Sequence, residues 1–137
     1  MAIEIPGPVA DRLATEQNIW LTTTRADGMP LPNTVWFLWR NGDFFVSTAP
    51  EAFKVKNMKR NPLVSLNLNT SSLDGSDVAI FQAQADFSKP STEDDFQAYL
   101  KKYKEGIAAL GFTEEYLRSD FVLIRLKLLK YRTVVWE

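Results

Sequence analysis

The chain of 137 residues contains neither cysteine nor histidine. Without cysteine it has no disulfide, no thiol nucleophile and no zinc site built from thiolates. Without histidine it lacks the commonest general base, the usual metal ligand and the imidazole of the catalytic triads. Its chemistry therefore has to come from carboxylates, lysines or a bound cofactor, and so short a chain favours a cofactor that brings its own reactivity.

Long apolar runs and an excess of charge are also missing. No run reaches the roughly 18 apolar residues of a membrane-spanning helix, and the first residues lack the basic and apolar segments of a secretion signal. The net charge of -1 gives no electrostatic reason to expect nucleic acid. We therefore expect a cytoplasmic protein whose partners include neither membrane nor nucleic acid.

The composition is that of an ordinary globular domain, with 45% apolar and 24% charged residues. Repeats, linkers and low-complexity tracts are absent from the sequence, so residues 1–137 form one predicted domain. It also contains no GxGxxG motif, no Walker loop and no metal-ligand spacing, so no metal site is predicted.

The periodicity of apolar residues predicts mostly strands. Alternating or continuous apolar segments predict strands at 19–24, 34–39, 44–46, 64–68, 78–87, 121–129 and 131–136. Helical spacing predicts helices at 8–17, 51–60, 92–105 and in the segment TEEYLRS that follows Phe112. Pro30 and Pro32 each remove a backbone donor, so the residues before the second strand should form a sheet edge or an irregular segment.

The order of these elements predicts the fold class. Asn41-Gly42 is a strong hairpin signal, and strands at hairpin spacing without βαβ alternation argue against a parallel sheet. We expect a mainly β protein, a six- to seven-stranded antiparallel split β-barrel with a few helices. The strand Val35–Trp39 is apolar on both faces, which predicts that a second copy of the chain covers it in a homodimer.

Residues 47–60 could form an anion site. Ser47 and Thr48 end a strand, Lys54 and Lys56 follow in the next helix, and hydroxyls, amides and lysines at a helix N-terminus suit a phosphate. The same pattern also fits a capped turn followed by a solvated lysine face. The predicted helix 51–60 carries an acid in its first turn and bases in its last, which would complement its dipole.

Two further features allow a ligand as well as a structural explanation. A strand near a proline bend, at Asn33–Trp36, could offer free backbone groups to a flat heterocycle, or it could be barrel core. The tryptophans and nine phenylalanines could stack on a planar ring, or simply fill the core. Acids at 93–95 and 114–115 sit at predicted helix starts, where they serve the dipole, so no catalytic residue is identified.

The ordered combination of motifs resembles the pyridoxamine 5′-phosphate oxidase superfamily of flavin-binding split β-barrels. The resemblance rests on WLTTTRADGMPLPNTVWFLW and FFVSTAPEAFKVKNMKRNPLVSLNL, with DVAIFQAQADF and the last strands in the same order. It is greatest for the group of probable deazaflavin (coenzyme F420)-dependent enzymes. It covers about nine tenths of the chain by this ordered matching of elements.

This resemblance implies a homodimer with two cofactor sites in the grooves between subunits. Ser47, Thr48, Lys54 and Lys56 would bind the cofactor phosphate. Backbone groups of Asn33, Thr34, Val35 and Trp36 would face the ring, and Trp136 of the partner subunit would close the pocket. The implied function is an F420-dependent oxidoreductase that transfers hydride to a conjugated small-molecule acceptor.

Departures from the family pattern leave alternatives. The strand reads NTVWFLW without the arginine of the vitamin B6 oxidases, and the last residues, LLKYRTVVWE, lack their histidine. Oxidation of pyridoxamine phosphate is therefore not expected, and haem ligation by histidine is impossible. An FMN-binding oxidoreductase of the same fold, or a flavin- or deazaflavin-binding protein without catalysis, remain as alternatives.

Overall fold

A computed structural model describes residues 3–133, which form seven strands and five helices. The strands are β1 (Ile19–Thr24), β2 (Pro30–Val35), β3 (Phe37–Arg40), β4 (Asp43–Thr48), β5 (Leu63–Asn67), β6 (Ile80–Ala85) and β7 (Val122–Arg132). The helices are α1 (Gly7–Thr15), α2 (Phe53–Arg60), α3 (Glu93–Lys102), α4 (Lys104–Ala109) and α5 (Glu114–Asp120). Across residues 3–133, every helix is too short or too polar to cross a membrane.

All strands belong to one antiparallel sheet in the order β2-β1-β5-β6-β7-β4-β3. β2 and β3 lie at opposite ends of this order, yet Trp36 alone separates them in the chain. The sheet must therefore curl until its two ends meet at Trp36. The backbone N–H of Ser47, on β4, donates to the Trp36 carbonyl at 3.2 Å and ties the ends together. The predicted mainly β, antiparallel barrel-like class is confirmed.

The single strand predicted at 34–39 is in fact two strands. The chain leaves one end of the sheet after Val35 and enters the other end at Phe37. Trp36 lies between them because its carbonyl bonds Ser47 and its indole stacks on Tyr103, with ring centroids 4.4 Å apart. An apolar run alone could not reveal this break, since both halves have strand-like composition.

At the C-terminal side of the sheet, one strand stands where two were predicted. Segments 121–129 and 131–136 were expected as two strands, but Val122–Arg132 is one continuous strand. It pairs with β6 through a register shift between Gln82 and Ala83, which absorbs the irregularity. Residues 134–136 of the second predicted strand lie outside the described residues.

Helices α2 and α3 have different bounds from those predicted. Helix α2 begins at Phe53, so Glu51 lies in the preceding turn and the predicted acid in its first turn is wrong. The single helix predicted at 92–105 is two helices: α3, capped by Thr92 in a capping box with Asp95, ends before Tyr103, and α4 follows. Pro30 and Pro32 do lie on an edge strand, as predicted, because β2 ends the sheet.

The core lies inside the curl and extends beneath α3. Its main cluster joins strand residues such as Phe37, Phe44 and Phe81 to α1 and α2. A smaller cluster packs Leu38 and Phe45 against tyrosines of α3, so the Val35–Phe37–Leu38 segment is buried within one chain. The reason given above for a second subunit, an uncovered strand at Val35–Trp39, is therefore wrong.

A buried ionic network fixes the start of α3 to the sheet. Arg125 on β7 contacts Asp43 at 2.7 Å and Asp95 at 3.5 Å, and Arg40 on β3 also pairs with Asp95. The Asp95 side chain is only 4% exposed and also accepts a hydrogen bond from the Thr92 backbone. Burial tends to raise the pKa of Asp95, but the Thr92 bonds and Arg40 outweigh it, so that this pKa is lowered.

We expect Asp95→Ala to lower the free energy of unfolding by about 3 kcal/mol, because it leaves Arg125 and Arg40 short of their buried partner. Asp95→Asn should lower this free energy less, since the amide oxygen can still accept the hydrogen bond from the Thr92 backbone N–H. The wild-type advantage over Asp95→Asn is present above the unfolded pKa of about 3.9 and is lost as pH falls through the lower folded pKa. Urea unfolding of the wild type and both variants at neutral pH and near pH 3 measures these free energies. A difference between wild type and Asp95→Asn that is equal at the two pH values would contradict the ionic role.

Candidate functional site

A cleft of about 350 Å³ opens where the two ends of the sheet meet. The junction of β2 and β3, the end of β4 and the start of α2 form one side. The helical segment from α3 to the residue after α5 forms the other. Its lining comprises Thr34, Val35, Trp36, Ser47, Thr48, Ala49, Ala52, Lys54, Tyr99, Leu110, Phe112, Leu117 and Phe121.

The N-terminus of α2 points its dipole at one end of this cleft. Its N-cap residue is Ala52, which makes no side-chain cap bond, and its first turn carries no acid. The Val55 N–H already bonds the Ala52 carbonyl at 3.0 Å, so the helix dipole and the amides of Phe53 and Lys54 are what this end can offer an anion. The half-buried Lys54 adds a positive charge, and Ser47 and Thr48 add hydroxyls from the end of β4. This donor set fits a phosphate group.

The edge of β2 borders the same cleft. Among the strands of residues 3–133, β2 pairs only with β1, so its other edge carries backbone groups that none of these strands uses. Thr34, Val35 and Trp36 bring this edge into the cleft. Such an edge can bond the polar rim of a flat heterocycle, as predicted for residues 33–36.

The Trp36 indole is committed to the protein interior. It stacks on Tyr103 at an interplanar angle of 7°, and a Cβ placed on Gly106 would lie 3.2 Å from the indole. Glycine at 106 thus makes room for the ring beneath α4. Because its carbonyl already accepts the Ser47 N–H, Trp36 can present chiefly its backbone N–H to a ligand.

Two tyrosines pack behind the cleft: Tyr99 on α3, and Tyr103, the residue that follows this helix. The Tyr103 hydroxyl accepts from the Phe37 N–H at 2.8 Å and donates to the Gln17 carbonyl at 2.6 Å, which holds the first residue of β3 in place. Burial raises the pKa of Tyr99, and its hydrogen bond with the Ser47 side chain opposes that rise. Burial also raises the pKa of Tyr103, so both phenols stay protonated at neutral pH.

The structure brings six of the nine predicted site residues into this one cleft: Thr34, Val35, Trp36, Ser47, Thr48 and Lys54. Asn33 lies next along β2, opposite Leu21, and is not part of the lining. Lys56 lines a separate cleft with Arg25, Phe53 and Arg60, where its Nζ lies 5.3 Å from the Phe53 ring centroid. Trp136 lies outside the described residues. Their binding roles stay predictions.

The helical wall of the cleft was not anticipated. Tyr99, Leu110, Phe112, Leu117 and Phe121 all contribute to it. Tyr99 belongs to an apolar stripe at helical spacing, which indicates packing and carries no signal for a ligand. The others lie in or beside short helices whose placement over the sheet depends on tertiary contacts between distant parts of the chain.

Comparisons with known proteins agree with this architecture. No curated protein matches the chain. Among solved structures, a protein named F420 reductase shares 20% identity and a TM-score of 0.70, over 93% of this chain and 98% of its own. A candidate pyridoxamine 5′-phosphate oxidase from Listeria innocua shares 20% identity and a TM-score of 0.69, over 93% and 95%.

HutZ, the haem storage protein of Vibrio cholerae, shares 22% identity with a TM-score of 0.67, over 97% of this chain and 95% of its own. Likenesses at this level of identity establish a common fold among proteins with different ligands. The family itself is set by a sequence model described as pyridoxamine 5′-phosphate oxidase, which matches residues 5–135. The chain belongs to the pyridoxamine 5′-phosphate oxidase family.

Proposed function

We propose that this protein is an F420-dependent oxidoreductase that transfers hydride to a conjugated small-molecule acceptor. One observation carries the proposal: the cleft joins an uncapped helix N-terminus, Lys54 and the β4 hydroxyls to the unpaired edge of β2. A phosphate and a flat polar ring are the two parts of a flavin or deazaflavin. The family binds flavins, and an F420 reductase has the same fold.

Different residues of the cleft bind different parts of the cofactor. Lys54, the amides at the start of α2, Ser47 and Thr48 hold the phosphate, and the β2 edge at Thr34–Trp36 orients the ring. Leu110, Phe112, Leu117 and Phe121 provide an apolar wall that excludes water. When bound, the ring system supplies the hydride chemistry, so the protein needs to position, desolvate and shield rather than react.

The charge around α2 favours F420 over FMN. Lys56 and Arg60 lie in the neighbouring cleft beside Arg25, which is paired with Asp27 at 2.9 Å, so Lys56 and Arg60 supply the positive charge next to the phosphate end of the site. F420 carries an acidic oligoglutamate tail that FMN lacks, and these cations would attract it. FMN remains the second candidate, because the phosphate site suits either cofactor.

Two other ligand roles are weaker candidates. Haem storage by a protein of this fold offers a precedent in HutZ, but this chain has no histidine to ligate iron. A carrier that binds the cofactor without turnover would need the same cleft. Tight cofactor binding with no reduction across a broad panel of conjugated acceptors would favour the carrier.

Fluorescence titrations with F420 and FMN, run side by side on the purified protein, test the cofactor. We expect F420 to bind more tightly than FMN, and the difference to shrink as salt is raised, because screening weakens the attraction of the acidic tail. Purification of a yellow protein with tightly bound FMN would instead establish the second candidate. If neither compound binds, the proposed function fails.

Lys54→Ala should weaken cofactor binding by about 1–3 kcal/mol, the usual cost of losing a charged hydrogen bond. Lys56→Ala is the matched comparison, since it removes the same charge from the same helix but from the neighbouring cleft. We expect its effect on FMN affinity to be smaller. Unchanged affinity in Lys54→Ala would remove Lys54 from the site.

A homodimer is part of the proposal. Two apolar side chains on this side of the molecule are exposed: Leu110 of the cleft lining at 57%, and Phe53 of the neighbouring cleft at the start of α2 at 76%. A second subunit seated there would cover them and complete the cofactor site. Light scattering at micromolar concentration should therefore give the mass of two chains, and Phe53→Glu should shift it toward one. A wild-type monomer would contradict the shared site.

A further inference from the structure

A second cleft, of about 400 Å³, adjoins the proposed cofactor cleft. It lies between the segment before α3, α3 itself, α5 and the start of β7. The two clefts share four lining residues, so a molecule bound in one would lie next to a molecule bound in the other. The shared residues are Ser47, Tyr99, Leu117 and Phe121. We call the second cleft the acceptor cleft. Its other lining residues are Pro90, Ser91, Thr92, Glu93, Phe96, Arg118, Val122 and Leu123.

The walls of the acceptor cleft are mostly apolar. Leu117, Phe121, Val122 and Leu123 provide aliphatic and aromatic surface, and Phe96 lies beneath the guanidinium of Arg118 at 4.3 Å. Among the polar residues, the Thr92 hydroxyl already accepts the Asp95 N–H that caps α3. Such a lining suits a flat apolar molecule with little polarity of its own.

The two charged side chains of the cleft neutralise each other. Arg118 donates to both carboxylate oxygens of Glu93, at 2.9 and 2.5 Å, and a weaker contact reaches Glu114 at 3.5 Å. The bond from Arg118 lowers the pKa of Glu93 to about 2, so the pair is intact at neutral pH. Because its fork of donors is occupied by Glu93, Arg118 offers little to an anionic ligand.

We propose that this cleft binds the acceptor substrate and selects an uncharged, planar, conjugated molecule, with the Glu93–Arg118 pair excluding carboxylates and phosphates. The assignment rests on the proposed function for its role in reduction, whereas its ligand preference can be measured without any cofactor. Glu93 acts as a specificity-determining residue by holding Arg118, rather than by touching the acceptor.

Cinnamamide and cinnamate form a matched pair of probes, because both are planar conjugated alkenes of nearly equal size that differ in charge. Binding to the full chain is measured by calorimetry, first without and then with saturating cofactor. The wild type should prefer cinnamamide. Glu93→Gln leaves Arg118 with only its weaker contact to Glu114 at 3.5 Å, and should improve the affinity for cinnamate by roughly threefold to tenfold, while cinnamamide binding changes little.

Two controls isolate the mechanism. Glu115→Gln removes one negative charge from exposed surface of α5, the helix that carries Arg118, outside the cleft, and should leave the preference for cinnamamide unchanged. The double variant Glu93→Gln/Arg118→Gln removes the freed cation and should restore that preference. Phe121→Ala, which opens the wall shared by the clefts, should weaken binding of cinnamamide.

Several results would overturn the inference. These are a wild-type preference for cinnamate, equal effects of Glu93→Gln and Glu115→Gln, or no binding of cinnamamide at concentrations where the cofactor binds. If neither cofactor binds but the protein still prefers cinnamamide to cinnamate, the proposed function is rejected. The inferred ligand class of the acceptor cleft then still holds. The two failures are thus distinguishable.

Discussion

The stacking of Trp36 on Tyr103 is the contact on which the site depends. It holds in place the single residue at which the two ends of the sheet meet. The Tyr103 hydroxyl bonds both Phe37 and Gln17, so α3, β3 and the segment before β1 are fixed together. The same arrangement leaves the edge of β2 beside the end of β4 and the start of α2. Packing that closes the sheet thereby creates the cleft.

Charge is distributed around this cleft in three different ways. Arg125, Arg40 and Asp95 form a buried network that anchors α3, and the acids of that network leave their arginines no free charge for a ligand. Glu93 and Arg118 cancel at the rim of the acceptor cleft. The start of α2, by contrast, has Lys54 with no acid in its first turn. An anion is therefore best accommodated at α2 and an uncharged molecule beside α5.

Much of the fold and part of the site could be predicted from the sequence. Alternation in Ile19–Thr24 and the Asn41-Gly42 turn predict local structure that tertiary contacts do not override. Ser47, Thr48 and Lys54 are close in sequence, so their convergence follows from one strand, one turn and one helix. The break at Trp36 could not be predicted, because it depends on Tyr103 and Gly106, distant residues whose roles appear only when α3 and α4 pack on the sheet. The aromatic wall at Phe112 and Phe121 was missed for the same reason.

The pairing of β4 with β7 has a consequence for biosynthesis. Thr48 lies opposite Val122 and Ser47 opposite Leu123, so the strand that carries the hydroxyls of the cleft is completed by residues much later in the sequence. A nascent polypeptide emerging from the ribosome cannot form this contact until β7 has cleared the exit tunnel. Contacts between such distant residues also form slowly. Until β7 pairs with β4 the cleft is incomplete, and Phe44 and Phe45 depend on transient collapse for protection from water.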